Sequence, residues 1–433
     1  YLHLMISTAS VYLIMKHSPF TLTQKILLTF SYFIFFEYSL IARNYSIGVF
    51  LIFAFCVLFD RRRSSPLLLI SILILLAHTS VYGLILSICS FSTLVLDRIS
   101  DHNRSQLRGK AFFLKSDILP LAIYLAGVTV AILQITPPKD GTFLSPWIFH
   151  LDFSQFARLY QAIINAYLPI LSMDINFWDR SILADNVLIA VLTLPAIAII
   201  LFIFIRYLRK DLICLFFFIF CTFSILLFMY VKYAGALRHH GFLFIALVSA
   251  LWIFYSRNKS DIAPNRFIEN IRLINPSRIF TLMLTLHLIS SFIAVNGEIK
   301  YEFSGGKSTA KFVKENNYSN YELISVTLNA TAISGYLDGK ELFLIEENRY
   351  GSFRVWDIRP EDYLWPDPKM NNKSELVQRT LDSNNFPDKS LLILDFPLEE
   401  KFMNKNQVRK VFEADENIRG ETVLVYSLEK NNL

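Results

Sequence analysis

The sequence is short of charge. Asp, Glu, Lys and Arg make up only 18% of it, against about 25% in a soluble globular chain. That deficit excludes a soluble enzyme, a disordered chain and a nucleic-acid-binding domain. Cysteine is scarce too: Cys56, Cys89, Cys214 and Cys221 all lie inside apolar runs, with no CxxC pair. This excludes a disulfide framework and a zinc cage, and leaves four small apolar packers. A GxxxxGK[ST] run is missing, so Gly305-Gly306-Lys307 is a turn or helix entry and not a phosphate-binding loop. Neither an internal repeat nor a low-complexity tract is present. The chain begins at Tyr1 inside an apolar run, without the basic start of a signal peptide. It reads as a fragment whose true start lies upstream.

What is present is apolar surface. Hydrophobic residues make up 54% of the 433, and the mean hydropathy is +0.42. Of the 42 Lys and Arg, 18 fall after Asn296, as do 23 of the 36 Asp and Glu. The first two thirds therefore hold 24 basic and 13 acidic residues, near +11, and the tail is near −5. An apolar, basic body is a topology signal. Stretches long enough to cross a bilayer, or to cross it as broken helices, are Tyr1–Met15, Thr23–Ile41, Ser46–Phe59, Pro66–Ala77, Val81–Leu96, Ile118–Thr136, Asp185–Ile205, Leu212–Val231, Gly241–Tyr255 and Ile279–Val295. That makes about ten, although Pro66–Leu96 also reads as one long kinked element.

The expected fold is an α-helical polytopic membrane bundle over residues 1–295, followed by a C-terminal soluble α/β domain over 296–433. The cluster Arg61-Arg62-Arg63 sets the orientation, because basic loops stay in the cytoplasm. Alternation from it places Arg98–Lys115, Arg206–Lys210 and Ser256–Arg278 inside as well, and all three are rich in Lys and Arg. The other side then carries Arg43-Asn44, the turn His78-Thr79-Ser80, a long loop at 137–180, Lys232–His240 and the tail. Within the long loop, Asp152–Leu171 has apolar residues at helical spacing and reads as an amphipathic helix in the membrane interface, flanked by Trp147 and Trp178. In the tail, apolar runs at Leu323–Val326, Leu342–Ile345, Leu391–Leu394 and Val423–Tyr426 alternate with helical patterns at 305–316, Ala330–Leu337 and Ser374–Leu381. That alternation predicts a largely parallel sheet.

Ionisable residues in or beside membrane spans are costly, so they are candidates for function. Here they are Glu37, Arg43, His78, Lys232, Arg238, His239, His240 and His287, and all but His287 fall toward the outer side. His287 reads as structural. Glu37 either pairs with a basic neighbour or faces a sugar or metal. Arg43, with Asn44 beside it, suits a phosphate, because a guanidinium binds two oxygens at once. The turn from Lys232 to Gly241 is the stronger cluster: it sets Lys232, Arg238, His239 and His240 where the positive-inside rule disfavours charge. An anionic lipid headgroup or pyrophosphate would account for it, with the cations neutralising phosphate and a histidine donating a hydrogen bond or proton. Spacing argues against metal, because adjacent histidines diverge on a helix. His78 is either a satisfied intramembrane histidine or a substrate contact. The outer loops also hold Asp140, Asp152, Asp174, Asp179 and Asp185, any of which suits a base, and nothing in the spacing selects one.

The order of these features resembles that of bacterial multi-spanning glycosyltransferases of the GT-C superfamily, in the branch of protein O-mannosyltransferases and lipopolysaccharide sugar transferases. The segments EYSLIARNYSIGVFLIF and ALRHHGFLFIALVSALW carry most of the likeness, which covers the membrane body; FSGGKSTAKFV and YGSFRVWD in the tail are similar to extensions of such proteins. The resemblance implies inverting transfer of a sugar from a polyprenyl-phosphate carrier to a lipid or glycan acceptor, outside a bacterial plasma membrane. Arg43, Lys232, Arg238 and the histidines would then face the leaving phosphate. It also implies a catalytic carboxylate in a first outer loop, which would lie upstream of Tyr1, so the base is unassigned here. No cofactor is called for, although a divalent metal ion is compatible with such chemistry. Two other functions fit ten spans: a multi-pass transporter or lipid flippase of the cell envelope, and a non-catalytic partner presenting its tail to envelope proteins. Asn317, Asn329 and Asn372 sit in Asn-x-Ser/Thr sequons, relevant only in a eukaryotic secretory membrane.

Overall fold

A computed structural model describes residues 1–104, 115–137, 146–258, 275–355, 373–384, 386–387 and 389–428. Asp140, Asn372 and the middles of two basic loops lie outside the described residues. The chain divides into two compact units, one of residues 1–137, 146–172 and 179–295, the other of 173–178 and 296–428.

The first unit is helical. Its elements are α1 (Leu2–His17), α2 (Leu22–Thr29), a π-helix (Tyr32–Leu40), α3 (Tyr45–Leu58), α4 (Pro66–Ala77), α5 (Val81–Arg104), α6 (Lys115–Ile135), α7 (Phe153–Tyr167), α8 (Ile182–Asp185), α9 (Val187–Leu208), α10 (Leu212–Val231), α11 (Leu237–Arg257) and α12 (Pro276–Lys300). Among the described residues six segments are long and apolar enough to cross a membrane: Val81–Ser100, Ile118–Ile135 and α9 to α12. They are compatible with a membrane protein.

Polar side chains set where these helices start. Thr21 and Gln24 form a reciprocal capping box at α2. Asn186 accepts the Leu188 and Ile189 amides at the head of α9, and Asp211 accepts that of Ile213 at α10. The stretch Thr23–Ile41, expected as one span, is broken. Ser31 adopts an extended backbone and turns its hydroxyl back to the Leu28 carbonyl, and the chain resumes as a π-helix. Pro66–Leu96 is two helices. The chain turns at His78–Ser80, and Ser87 of α5 bonds back to the Leu73 carbonyl of α4 at 2.6 Å.

Helix α11 is the axis of this unit. Every residue from His239 to Phe254 is buried. Gly241 lets the π-helix approach: a Cβ there would lie 2.4 Å from the Tyr38 hydroxyl and 2.5 Å from Phe33. His287 of α12 is fully buried and stacks on Phe244 at 4.3 Å. The ends of α11 are tied by charge. At its C-terminal end Arg257 bonds Asp97 at 2.5 Å and Asp211 at 2.6 Å, and Arg62 joins Asp97 at 2.6 Å.

Helix α7, expected to lie in the membrane interface, is exposed at its start and packed at its end. Asp152 caps it, and Phe153 and Phe156 near its start are exposed. Its second half is packed on the bundle. Tyr160 bonds the Ala190 carbonyl of α9, and Ile164, Asn165, Ala166 and Tyr167 are buried.

The second unit holds a six-stranded sheet with helices on both faces. Its strands are β1 (Glu322–Val326), β2 (Leu342–Leu344), β3 (Arg349–Gly351), β4 (Ser390–Leu394), β5 (Val408–Ala414) and β6 (Val423–Leu428), in the order β3-β2-β1-β4-β6-β5. β1 runs parallel to β2 and β4, with Leu323 opposite Leu391, whereas the other three pairings are antiparallel. The sheet is therefore mixed and not largely parallel, because β5 and β6 form a hairpin on one edge and β3 folds back on the other. α13 (Gly306–Glu315) and α14 (Ala330–Tyr336) cover Leu323, Leu391, Ile393 and Val425. α15 (Lys373–Ser383) and α16 (Glu400–Asn406) cover Ile324, Leu392, Leu394 and Tyr426. Of the sequons, Asn329 is buried and donates to Glu421 at 3.0 Å, which closes it to modification in the folded chain.

Candidate functional site

The turn from Lys232 to Gly241 sends its cations two ways. Gly235 adopts φ +85°, a conformation that favours glycine, and there the chain reverses before α11. Lys232 lies on one side, its ammonium 4.7 Å from the centre of the Trp147 ring. Arg238 lies on the other, in a group of charged and aromatic side chains drawn from four parts of the first unit.

Asp179 organises that group. It also holds a positive φ, +61°, which Asp tolerates better than most residues. One carboxylate oxygen accepts the Leu237 amide at 3.0 Å, and the other accepts Arg238 at 3.2 Å. The α11 N-terminus thus receives a cap and a negative charge from a remote loop. Partial burial pushes the Asp179 carboxyl above its ordinary value, and Arg238, the Leu237 amide and Arg43 act against that shift.

Arg43 lies between the π-helix and α3, within electrostatic reach of Arg238, Glu37 and Asp179. Burial pulls its pKa down, and the nearby Arg238 charge pulls it further. Glu37 is buried one turn away and accepts a 2.6 Å hydrogen bond from Tyr32. Tyr45, next to Asn44, is the link to the histidines. Its hydroxyl sits 2.8 Å from His239 Nε2 and within hydrogen-bonding reach of Arg238.

His239 Nδ1 accepts the Ala236 amide at 2.8 Å. That fixes the ring as the neutral Nε2–H tautomer, so Nε2 donates to Tyr45. Tyr82 stacks on the ring at 5.3 Å, and Tyr233 meets it edge-on at 5.4 Å. Both ring nitrogens of His240 have protein partners, the Ala234 carbonyl at 3.2 Å and the Asn165 amide at 3.3 Å. Of the proton-donor roles expected for this pair, the geometry leaves His239 a fixed donor to Tyr45 and makes His240 a brace between α7 and the turn.

The site thus brings together Glu37, Arg43, Arg238 and His239. Asn44 and His78 serve the adjoining turn. Asn44 donates to the Thr79 carbonyl, and His78 bonds Gln134 of α6 at 2.6 Å. Lys232 belongs to a separate cleft. Of the loop aspartates, Asp152 and Asp185 cap local amides, and Asp174 falls in the second unit. Sequence reasoning had no means to select Asp179, Tyr45, Tyr82 or Tyr233. The only signal was the adjacency of Tyr45 and Tyr233 to cations. Among the described residues, no group of three or more His, Cys, Asp or Glu is placed to hold a metal.

What the arrangement can do chemically is hold an anion. Two guanidiniums and an oriented phenol share one neighbourhood with two carboxylates, Asp179, engaged by Arg238 and the Leu237 amide, and Glu37, which accepts from Tyr32. No family model matches the chain, and comparisons with curated proteins and with solved structures found no match.

Proposed function

We propose that the chain is a multi-pass membrane glycosyltransferase of the GT-C type, moving a sugar from a polyprenyl-phosphate carrier to a lipid or glycan acceptor with inversion. The observation that carries this reading is the approach of Arg43 to Arg238 beside Tyr45 and Asp179. Two guanidiniums beside a phenol can share one anion, and a phosphate has the charge and the oxygens for two forked donors. The same donors would stabilise the phosphate as it departs, which is where charge develops in the transfer. In this reading the six long helices are joined by α1, the α2 and π-helix pair, α3 and α4 to make ten spans. The cluster and the tail domain then face the outside of a bacterial plasma membrane.

The test is transfer from a radiolabelled polyprenyl-phosphate sugar in membranes, comparing wild type with Arg238→Gln and Arg238→Lys. The expected result is transfer by the wild type, near-complete loss in the Gln variant and partial activity in the Lys variant. Full activity of Arg238→Gln would sink the phosphate role.

One observation favours transport instead: a buried carboxylate, Glu37, on a helix interrupted at Ser31, as at the broken helices of transporters. Uptake by proteoliposomes that depends on Glu37, with no sugar transfer, would select that reading.

A further inference from the structure

The segment leading into α7 has an unusual alternation. Trp147, Phe149, Leu151 and Phe153 are 57, 81, 83 and 89% exposed. Between them Ile148 and Asp152 are half-buried, His150 is exposed, and the backbone anchors the stretch. The Ile148 amide donates to the Val231 carbonyl at 2.8 Å, and the Asp152 amide to the Tyr230 hydroxyl at 2.9 Å. Tyr230 in turn donates to the His150 carbonyl at 2.8 Å. The stretch before α7 is thus fastened by its backbone to the end of α10, and four large apolar side chains stand exposed from Trp147 to Phe153, the first residue of α7. Trp147 and Phe149 stack in parallel at 5.8 Å. Such a comb, at the end of a helix able to cross a membrane, matches the aromatic residues that settle at headgroup level.

Beside the comb is a cleft of about 370 Å³, lined by Gln155, Arg158, Tyr230, Lys232 and Tyr233 with the backbone of the Gly235 turn. Its two cations come from different elements, Arg158 from α7 and Lys232 from the loop after α10. Among the described residues, no acidic side chain lines it. Arg158 is exposed. Lys232 rests on Trp147, the first tooth of the comb. Positive charge, phenol groups and adjoining apolar teeth are complementary to one kind of molecule, with a phosphate at one end and hydrocarbon at the other.

We infer that this cleft binds the phosphate headgroup of an anionic glycerophospholipid of the surrounding bilayer, between Arg158 and Lys232, while Trp147, Phe149, Leu151 and Phe153 enter the acyl boundary. Its two cations are distinct from Arg43 and Arg238, with Tyr233 bordering both places, and the inference stands independently of the glycosyltransferase reading.

The experiment is lipid titration of the full chain in detergent, read by native mass spectrometry with phosphatidylglycerol and phosphatidylcholine as probes. Wild type is expected to retain phosphatidylglycerol about thirtyfold more tightly, from one favourable charge contact at each of the two basic residues. Arg158→Gln and Lys232→Gln each reduce that preference, and the double variant abolishes it. Lys232→Arg, which keeps the charge, and Arg238→Gln, in the other cluster, bind as wild type. Melting temperatures of all variants separate lost binding from lost folding. Equal retention of the two lipids by wild type, or a preference surviving in the double variant, overturns the proposal. So does displacement by equimolar inorganic phosphate, which makes the cleft a free-phosphate site. Displacement by polyprenyl phosphate with the same variant sensitivity also overturns it, because the cleft is then a carrier site.

Discussion

Asp179 and Arg238 meet at 3.2 Å, and the same aspartate receives the amide of Leu237. One side chain therefore caps a buried helix and fixes the direction of its first charged residue. Asp179→Ala removes both contacts and is expected to cost about 0.5–2 kcal/mol, the range for losing a helix cap. Asp179→Asn keeps an acceptor for the amide and is expected to cost less. Thermal unfolding in detergent, followed by tryptophan fluorescence, gives the comparison, and an equal loss in the two variants would place the effect in the ion pair alone.

The Tyr45 hydroxyl receives His239 Nε2–H and stands beside Arg238. In the proposed function its own proton would then point at an oxygen of the bound phosphate. Tyr45→Phe removes the hydroxyl that accepts from His239, and with it the donor to a bound phosphate, worth about 1.5–3 kcal/mol in a charged setting. The expected result is a loss of transfer of about tenfold or more, together with a lower melting temperature from the stranded His239 N–H. Unaltered kinetics would exclude the phenol from the site.

Gly241 has no room for a methyl group. A Cβ would sit 2.4 Å from the Tyr38 hydroxyl and 2.5 Å from a Phe33 ring carbon. Gly241→Ala is expected to destabilise the first unit by about 1–3 kcal/mol, the usual cost of overpacking. Gly335, with nothing near its Cβ position, is the control: Gly335→Ala, inside α14, is expected to be neutral or stabilising. Melting curves of the two variants decide it.

In the second unit Arg354 pairs with Glu346, and both are almost fully buried. Arg354→Ala strands a buried carboxylate and is expected to cost about 3–5 kcal/mol. In the wild type, burial raises the Glu346 carboxyl above its ordinary value even against Arg354. Its folded form holds a proton more tightly than the unfolded form. Its contribution is therefore fully present below the unfolded value and is lost as pH rises through the folded one. Removing Arg354 raises the folded value further, so the loss in Arg354→Ala is expected to shrink as pH falls toward 4. Denaturation of the variant at several pH values measures this, and a loss independent of pH would count against a charged Glu346.

Much of the fold was legible, and the reasons are physical. Helices α9 to α12 show as long apolar runs because their length meets a bilayer. Strands β1, β2, β4 and β6 show as short continuous runs because both faces are covered. β5 does not, because its edge position leaves Arg409, Lys410 and Glu413 exposed within the strand. The break at Ser31 was hidden because apolar residues flank it on both sides. At the site, Glu37, Arg43, Arg238 and His239 stand out as costly residues in apolar surroundings. Asp179 did not stand out among five loop aspartates, because its role depends on a left-handed backbone and on a partner 59 positions away. The parting of Lys232 from Arg238 was equally hidden, since it depends on how the chain turns at Gly235.

The two ends of α11 have a mechanical consequence. A helix of its length measures roughly 30 Å. Arg238 is latched to Asp179 at one end, and Arg257 to Asp97 and Asp211 at the other. Sliding by one turn, about 5.4 Å, would unlatch both ends at once, and rotation would drive buried rings into their neighbours. Such a helix is the fixed element of the first unit, and any rearrangement that keeps these contacts has to take place around it.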